Sequence, residues 1–122
     1  MFVRLYSGED GQSHFEELDL PNNYAEHSNM QMGGGAIFRR SEPDRFIDWH
    51  NAPRRQYVIT LSGEVEIGIG DGTLRRLGSG DVLLADDLTG QGHTTRVVGD
   101  VPRVSVAIPL TRWSPWLPPA RE

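Results

Sequence analysis

Residues 56–77 read QYVITLSGEVEIGIGDGTLRRL and give the clearest structural pattern in the chain. Apolar side chains stand at every second position from Val65 to Ile69, which is the period of a half-buried β-strand. Asp71-Gly72 follows, and this dipeptide suits a type I′ turn between two hairpin strands. Residues 57–61 form a further β-rich run that ends at Ser62-Gly63. The stretch therefore predicts consecutive antiparallel strands joined by tight turns.

The rest of the chain repeats this pattern of short strands and turns. Strands are predicted at residues 1–6, 14–20, 36–40, 46–50, 73–77, 82–85, 93–98 and 103–110. Fourteen glycines and eight prolines punctuate the chain, a load that long helices tolerate badly. We therefore expect one all-β domain over residues 1–122, a sandwich or closed barrel. Residues 21–35 are predicted to be a loop, and residues 111–122 a Pro- and Trp-rich tail.

Composition removes many functions. All 12 cationic residues are arginines, and the chain contains no lysine and no cysteine. This excludes a Schiff-base lysine, a P-loop lysine, a cysteine nucleophile, disulfides and cysteine-ligated metals. A net charge of −5 argues against nucleic acid as a partner. No apolar stretch is long enough to span a membrane and the N-terminus lacks a signal peptide, so we expect a cytoplasmic protein.

Two histidines stand where a strand meets a loop. His50 ends a predicted strand beside a proline-containing loop, and His93 begins another strand after a glycine-containing loop. Imidazole is the side chain that most readily exchanges protons near neutral pH. The other two histidines, His14 and His27, are expected to be exposed. His50 and His93 are therefore the candidate catalytic residues.

The region 49–98 resembles the two motifs of the cupin superfamily. His50 matches the first histidine of a His-x-His motif, and Gly63 lies seven residues after Gln56, as the pattern requires. Residues 80–84 (GDVLL) are similar to the start of the second motif, with His93 as its histidine. The resemblance implies an antiparallel double-stranded β-helix, the cupin or jelly-roll barrel. It also implies a small-molecule ligand in the barrel and a homodimer.

The same motifs are incomplete for metal binding. A full cupin site offers three imidazoles and a carboxylate, whereas here Ala52 replaces the second histidine and Gln56 replaces the glutamate. The resemblance leaves His50, Gln56 and His93 as the residues that could hold a divalent metal ion. Without the carboxylate, such a site loses its only anion. The cofactor is therefore predicted to be either none or a divalent metal.

Several neighbouring residues are candidates for substrate binding. These are Gln56, Arg54, Tyr57 and Trp49, with barrel packing or a solvated surface as the alternative for the last three. Asp86-Asp87 is expected to be a turn or cap, and the competing interpretation is a carboxylate that orients His93.

Three functions remain open from the sequence. One is an isomerase, lyase or cyclase in which His50 and His93 serve as the acid–base pair. A second is a non-catalytic small-molecule-binding or sensor module. A metal-dependent dioxygenase is the third, and the missing ligands disfavour it. For the expected homodimer, the N-terminal strand and the Trp113-Ser-Pro-Trp116 segment are the candidate contacts.

Overall fold

A computed structural model describes residues 1–19 and 32–111 of the chain. The strands in these ranges are β1 Phe2–Ser7, β2 Ser13–Glu17, β3 Ile37–Ser41, β4 Phe46–His50, β5 Gln56–Ser62, β6 Glu64–Gly68, β7 Leu74–Leu77, β8 Val82–Asp86, β9 His93–Val98 and β10 Arg103–Pro109. The predicted all-β class is confirmed, and most predicted strand bounds agree within two residues. No helix capable of crossing a membrane occurs in these ranges. His27, most of the predicted 21–35 loop and the Trp113–Trp116 contact lie outside the described residues.

The strands pair as one long antiparallel ribbon that is folded back on itself. Working outward from the tip, β6 pairs with β7, β5 with β8, β4 with β9 and β3 with β10. The ribbon bends between successive pairs, so alternate pairs fall into opposite sheets. One sheet has the order β2-β1-β8-β5-β10-β3 and the other the order β4-β9-β6-β7. This nested pairing is the topology of a double-stranded β-helix.

The β6–β7 hairpin at the tip forms as predicted, but its turn differs from the expected type. A type I′ turn needs positive φ at both central residues. Gly72 has φ +91°, whereas Asp71 is not among the described residues with positive φ. The Asp71 carboxylate instead accepts a hydrogen bond from the Thr73 amide at 2.9 Å. The turn therefore has a single left-handed glycine, as in the longer hairpin connections.

Alternating side chains from both sheets meet in the space between them. Val3, Leu5 and Leu83 come from the larger sheet and are 5% exposed or less, as are Val65 and Ile67 from the smaller sheet. Burial of these side chains is the main force that holds the two sheets together. Part of the space between the sheets is left unfilled, and the candidate functional site lies in that cavity.

Candidate functional site

A cavity of about 350 Å³ lies between the two sheets. Strands of both sheets contribute to its wall, and its middle section is largely apolar. The apolar lining residues include Val58, Ile67, Leu83, Ala85, Val97 and Ala107. Both predicted catalytic histidines also line it. A cavity with an apolar wall and a few polar groups is the usual form of a small-molecule site.

His50 and His93 face each other across the β4–β9 pair. The two residues are register partners, and their ring centroids lie 4.3 Å apart at an interplanar angle of 56°. The His93 residue is only 5% exposed, and His50 is half-buried. The structure thus brings together the two histidines that the sequence singled out, within reach of one small ligand.

Gly92 makes this close approach of β4 and β9 sterically feasible. It has φ +81°, and a Cβ at this position would lie only 2.1 Å from the His50 carbonyl oxygen. A residue with a side chain would push the end of β4 away from the start of β9. Glycine is therefore required both by the backbone conformation and by the lack of space.

Asp87 fixes the orientation of His93. Its Oδ2 lies 2.6 Å from Nδ1 of His93 and accepts a 2.8 Å hydrogen bond from the Ser13 hydroxyl. The Ala52 amide approaches Oδ1 at 3.3 Å, and Asp87 itself is fully buried. A carboxylate among three donors holds the imidazole proton on Nδ1 and leaves Nε2 as the free ring nitrogen.

This geometry overturns the expectation that Asp86-Asp87 forms a turn or cap. Both residues are completely buried. Side chains alternate from one face of β8 to the other, so Asp87, just past the strand, lies on the same side as the cavity-lining Ala85, while Asp86 lies on the opposite side. Asp86 accepts two hydrogen bonds from Arg4, at 3.1 and 2.8 Å. The competing interpretation, a carboxylate that orients His93, describes Asp87.

His50 is oriented by the backbone rather than by a carboxylate. Its Nδ1 lies 2.7 Å from the Asp48 carbonyl oxygen. A carbonyl oxygen can only accept, so Nδ1 carries the proton and Nε2 of the neutral ring has the lone pair. The adjacent Asn51 amide donates to the carbonyls of Thr89 and Gly90, at 3.0 and 3.2 Å. These bonds attach the loop before His93 to the end of β4.

Of the four predicted substrate-binding residues, only Gln56 lines the cavity. Gln56 is 6% exposed, and its Oε1 accepts a hydrogen bond from Arg54 at 3.2 Å. Arg54 is exposed and lies outside the lining, so it acts on the site only through Gln56.

Tyr57 and Trp49 are placed away from the cavity. Successive residues of a strand point to opposite faces, so Tyr57 packs with Leu84 and Phe2 on the far side of the sheet from Gln56. Burial raises the pKa of the Tyr57 phenol to about 12. Trp49 is 44% exposed and is not part of the lining. The apolar part of the cavity lining is therefore aliphatic.

The donor set does not fit the metal centre of a complete cupin site. Within residues 1–19 and 32–111 there is no group of three or more His, Cys, Asp or Glu side chains that could hold a metal ion. Ala52 contributes only backbone, and Oε1 of Gln56 is already engaged by Arg54. What remains is two imidazole nitrogens and no anion. We therefore derive no chemical step through a metal.

Sequence reasoning missed three arginines that line the cavity at its other end. They are Arg39, Arg45 and Arg103. The sequence pattern that could have indicated them is the period-2 alternation of β3 and β10. It places residues 39 and 41 on one face of β3, and the strand pairing sets them opposite residues 105 and 103 of β10. The alternation becomes informative only once the pairing of these two strands is known.

Comparison with known proteins supports the fold. The sequence matches no family model and no curated protein. Among solved structures, the chain is similar to Drosophila melanogaster CENP-C bound to CAL1, with 16% identity and a TM-score of 0.50. That alignment covers 87% of this chain and 75% of the other. The nested pairing of eight strands confirms the predicted double-stranded β-helix. The chain has the cupin fold.

Two other similar structures are described by their fold. One is an uncharacterized conserved protein with a double-stranded beta-helix domain from Klebsiella pneumoniae, with 26% identity and a TM-score of 0.48. Its alignment covers 60% of this chain and 59% of that one, less than two thirds of its length. The other is an RmlC-like cupin protein from Desulfovibrio desulfuricans, with 16% identity, a TM-score of 0.44 and coverages of 79% and 97%. A cupin fold by itself does not define a reaction.

Proposed function

We propose that this cupin-fold protein binds a small molecule in its barrel and catalyses a proton transfer on it, as an isomerase, lyase or cyclase. The observation that carries the proposal is the buried Asp87–His93 pair, at 2.6 Å, beside the ring of His50 in the same cavity. A buried, oriented imidazole with a second imidazole next to it is an arrangement suited to general acid–base catalysis.

His93 is the stronger candidate for the base. Asp87 keeps the proton on Nδ1, so the Nε2 lone pair is available to remove a proton from a bound substrate. The imidazolium that forms is stabilised by the adjacent carboxylate, as in a His–Asp pair of a hydrolase. His93 thus gains a proton without leaving an unpaired buried charge.

His50 then serves as the acid or as the second base. The ring centroids of His50 and His93 lie 4.3 Å apart, so both imidazoles can reach the same bound substrate. One ring can therefore donate while the other accepts, which a 1,2- or 1,3-proton shift requires. Gln56 supports this chemistry because its amide N–H groups remain available to orient a substrate carbonyl, while its Oε1 is held by Arg54.

The proposal is tested by solvent deuterium exchange, which needs no known substrate. The protein is incubated in D₂O with a mixture of small carbonyl compounds and acids, and loss of C–H signals is followed by ¹H NMR. We expect exchange into at least one compound, and we expect His93→Gln and His50→Gln to reduce its rate by about 100-fold or more. Urea unfolding of each variant shows whether it is folded.

His14 provides a matched control. Its Nε2 also lies 3.0 Å from a carboxylate, that of Asp10, but this pair is on the surface. His14→Gln should therefore exchange deuterium at the wild-type rate. If a compound from the mixture binds but neither histidine of the cavity changes any exchange rate, the non-catalytic binding or sensor function replaces the catalytic one.

A further inference from the structure

The end of the cavity away from the histidines is built from arginines. Arg39 of β3 faces Ser105 of β10, and Arg103 faces Ser41, in the ladder between these strands. Arg45 precedes β4, and its carbonyl oxygen accepts a hydrogen bond from the Val97 amide at 2.9 Å. Since a strand rises about 3.3 Å per residue, Val97 lies about 13 Å along β9 from His93. The two ends of the cavity therefore differ in chemistry and are separated in space.

Among the described residues, no carboxylate is paired with the arginines of this end. Arg39, Arg45 and Arg103 form no ion pair with any described residue, and no aspartate or glutamate lines the cavity. Five other arginines do form ion pairs with carboxylates. They are Arg4, Arg40, Arg55, Arg75 and Arg76. In a chain of net charge −5, three cations left together without an anion mark an anion-binding position.

Arg103 is held in place for this role. Its Nε and Nη2 donate to the Thr60 hydroxyl at 3.2 and 3.0 Å, and Nη1 has no partner among the described residues. Burial lowers the pKa of Arg103 to about 10, so the guanidinium remains charged at neutral pH. A half-buried cation fixed by a neutral partner gains more from a bound anion than a solvated arginine does.

Between the two ends, the wall is apolar. Val58 and Leu83 from the larger sheet and Ile67 from the smaller sheet line the middle of the cavity. A volume of about 350 Å³ is near the lower limit for small-molecule sites. The ligand that fits has one anionic end and a short hydrocarbon or aromatic body.

We propose that the cavity binds a small organic carboxylate, with its carboxylate group against Arg39, Arg45 and Arg103 and its opposite end against His50 and His93. A guanidinium presents parallel N–H donors that match the two oxygens of a carboxylate. The inference rests on the proposed function for the role of the histidine end, and it names the substrate class of that site. Arg54 and Arg55 have no part in this site, because they bind Gln56 and Asp86.

Isothermal titration calorimetry with acid–amide pairs tests this inference. The probes are benzoate, phenylacetate and hexanoate, each compared with its neutral amide, in a buffer free of carboxylate and phosphate. At least one acid should bind about tenfold or more tightly than its amide, since only the acid gains charge-assisted hydrogen bonds. Arg103→Gln should remove this difference, and Arg39→Gln and Arg45→Gln should each reduce it.

Arg40→Gln is the matched control, because Arg40 is exposed like its neighbour Arg39 on β3 but lies outside the cavity lining and is paired with Glu42 at 3.1 Å. It should leave acid binding unchanged. Three results would each overturn the inference. They are equal affinity for acids and amides, equal effects of Arg103→Gln and Arg40→Gln, and no acid with a dissociation constant below about 10 mM. Phosphate binding more tightly than all three acids would overturn the carboxylate class. If Arg103→Gln does not fold, Arg39→Gln provides the test, because its exposed position should tolerate the substitution.

The binding and exchange experiments fail independently. Acid binding that depends on Arg103 and survives in His93→Gln, without any deuterium exchange, supports the carboxylate site and removes the catalytic proposal. Exchange that depends on His93 but occurs only with neutral compounds supports catalysis and removes the carboxylate site.

Discussion

Replacing Asp87 with asparagine tests the oriented His93 directly. Asp87 accepts from the Ser13 hydroxyl and from His93 Nδ1 through the same oxygen, and from the Ala52 amide through the other. An asparagine satisfies all three neighbours only if its NH₂ takes the place of Oδ2 and donates to Ser13 and His93. His93 Nδ1 must then accept, so the ring proton moves to Nε2, the nitrogen that needs the lone pair.

The magnitude follows from the bonds that change. The two short hydrogen bonds of the carboxylate, with Ser13 and His93, become neutral ones, and the difference is about 1 kcal/mol for each bond. The Ala52 amide lies 3.3 Å from the other oxygen, so the change of that bond contributes little. We therefore expect Asp87→Asn to lower the free energy of unfolding by about 2 kcal/mol at pH 7. Loss of an oriented base should reduce the rate of deuterium exchange by about 100- to 10,000-fold.

Two measurements check this prediction. Long-range ¹H–¹⁵N correlation spectra of histidine-labelled protein show which ring nitrogen of His93 carries the proton, and urea denaturation gives the free energy of unfolding. The argument is refuted if His93 keeps its proton on Nδ1 in the variant, or if stability changes by less than about 0.5 kcal/mol. Asp10→Asn is the control, since the Asp10–His14 pair is exposed and its loss should leave the free energy of unfolding nearly unchanged.

Two further predictions concern Gly92 and Tyr57. Gly92→Ala should lower the free energy of unfolding by at least about 3 kcal/mol in urea denaturation, because it combines a left-handed φ with a clash against the His50 carbonyl. Gly99 also has a left-handed φ, +86°, but open space around it, so Gly99→Ala should lower the free energy of unfolding by only about 1–2 kcal/mol. Tyr57→Phe should be as stable as wild type or more so at pH 7, because the buried hydroxyl has no partner among the described residues. The raised pKa of Tyr57, about 12, makes wild-type stability fall as pH rises from 10 through 12, and the phenylalanine variant should lack that part of the decline.

Strand positions were the most predictable feature of this chain. Alternation over residues 64–69 and the glycine and proline turns placed all ten described strands, and the predicted bounds of Phe46–His50 and His93–Val98 agree with the structure. These features are local, so a sequence carries them directly. His50 and His93 were found for the same reason, since each marks the junction of a strand with a loop.

The partners of those histidines depend on the fold and could not be predicted in the same way. Asp87 stands six residues before His93, in a segment whose composition is typical of a turn. Only the continuation of the β8 alternation past the strand end shows that its side chain lies on the same side of the sheet as His93. Ser13, which bonds to Asp87, is 74 residues away in sequence. Contacts of this range are created by strand pairing rather than by local pattern.

The nested ribbon explains why the cavity has two chemically distinct ends. At one corner the ribbon bends from the β4·β9 pair to the β5·β8 pair. The connecting segments 51–55 and 87–92 place Asn51 and Asp87 beside the histidines, and Gln56 begins β5 at the same corner. At the preceding corner it bends from β3·β10 to β4·β9, where Arg45 and Arg103 lie beside the connecting segments 42–45 and 99–102. The strands hold the apolar middle between these corners. Polar residues at one corner can therefore change without disturbing the other, so mutations should separate the proposed anion recognition from the proposed proton transfer.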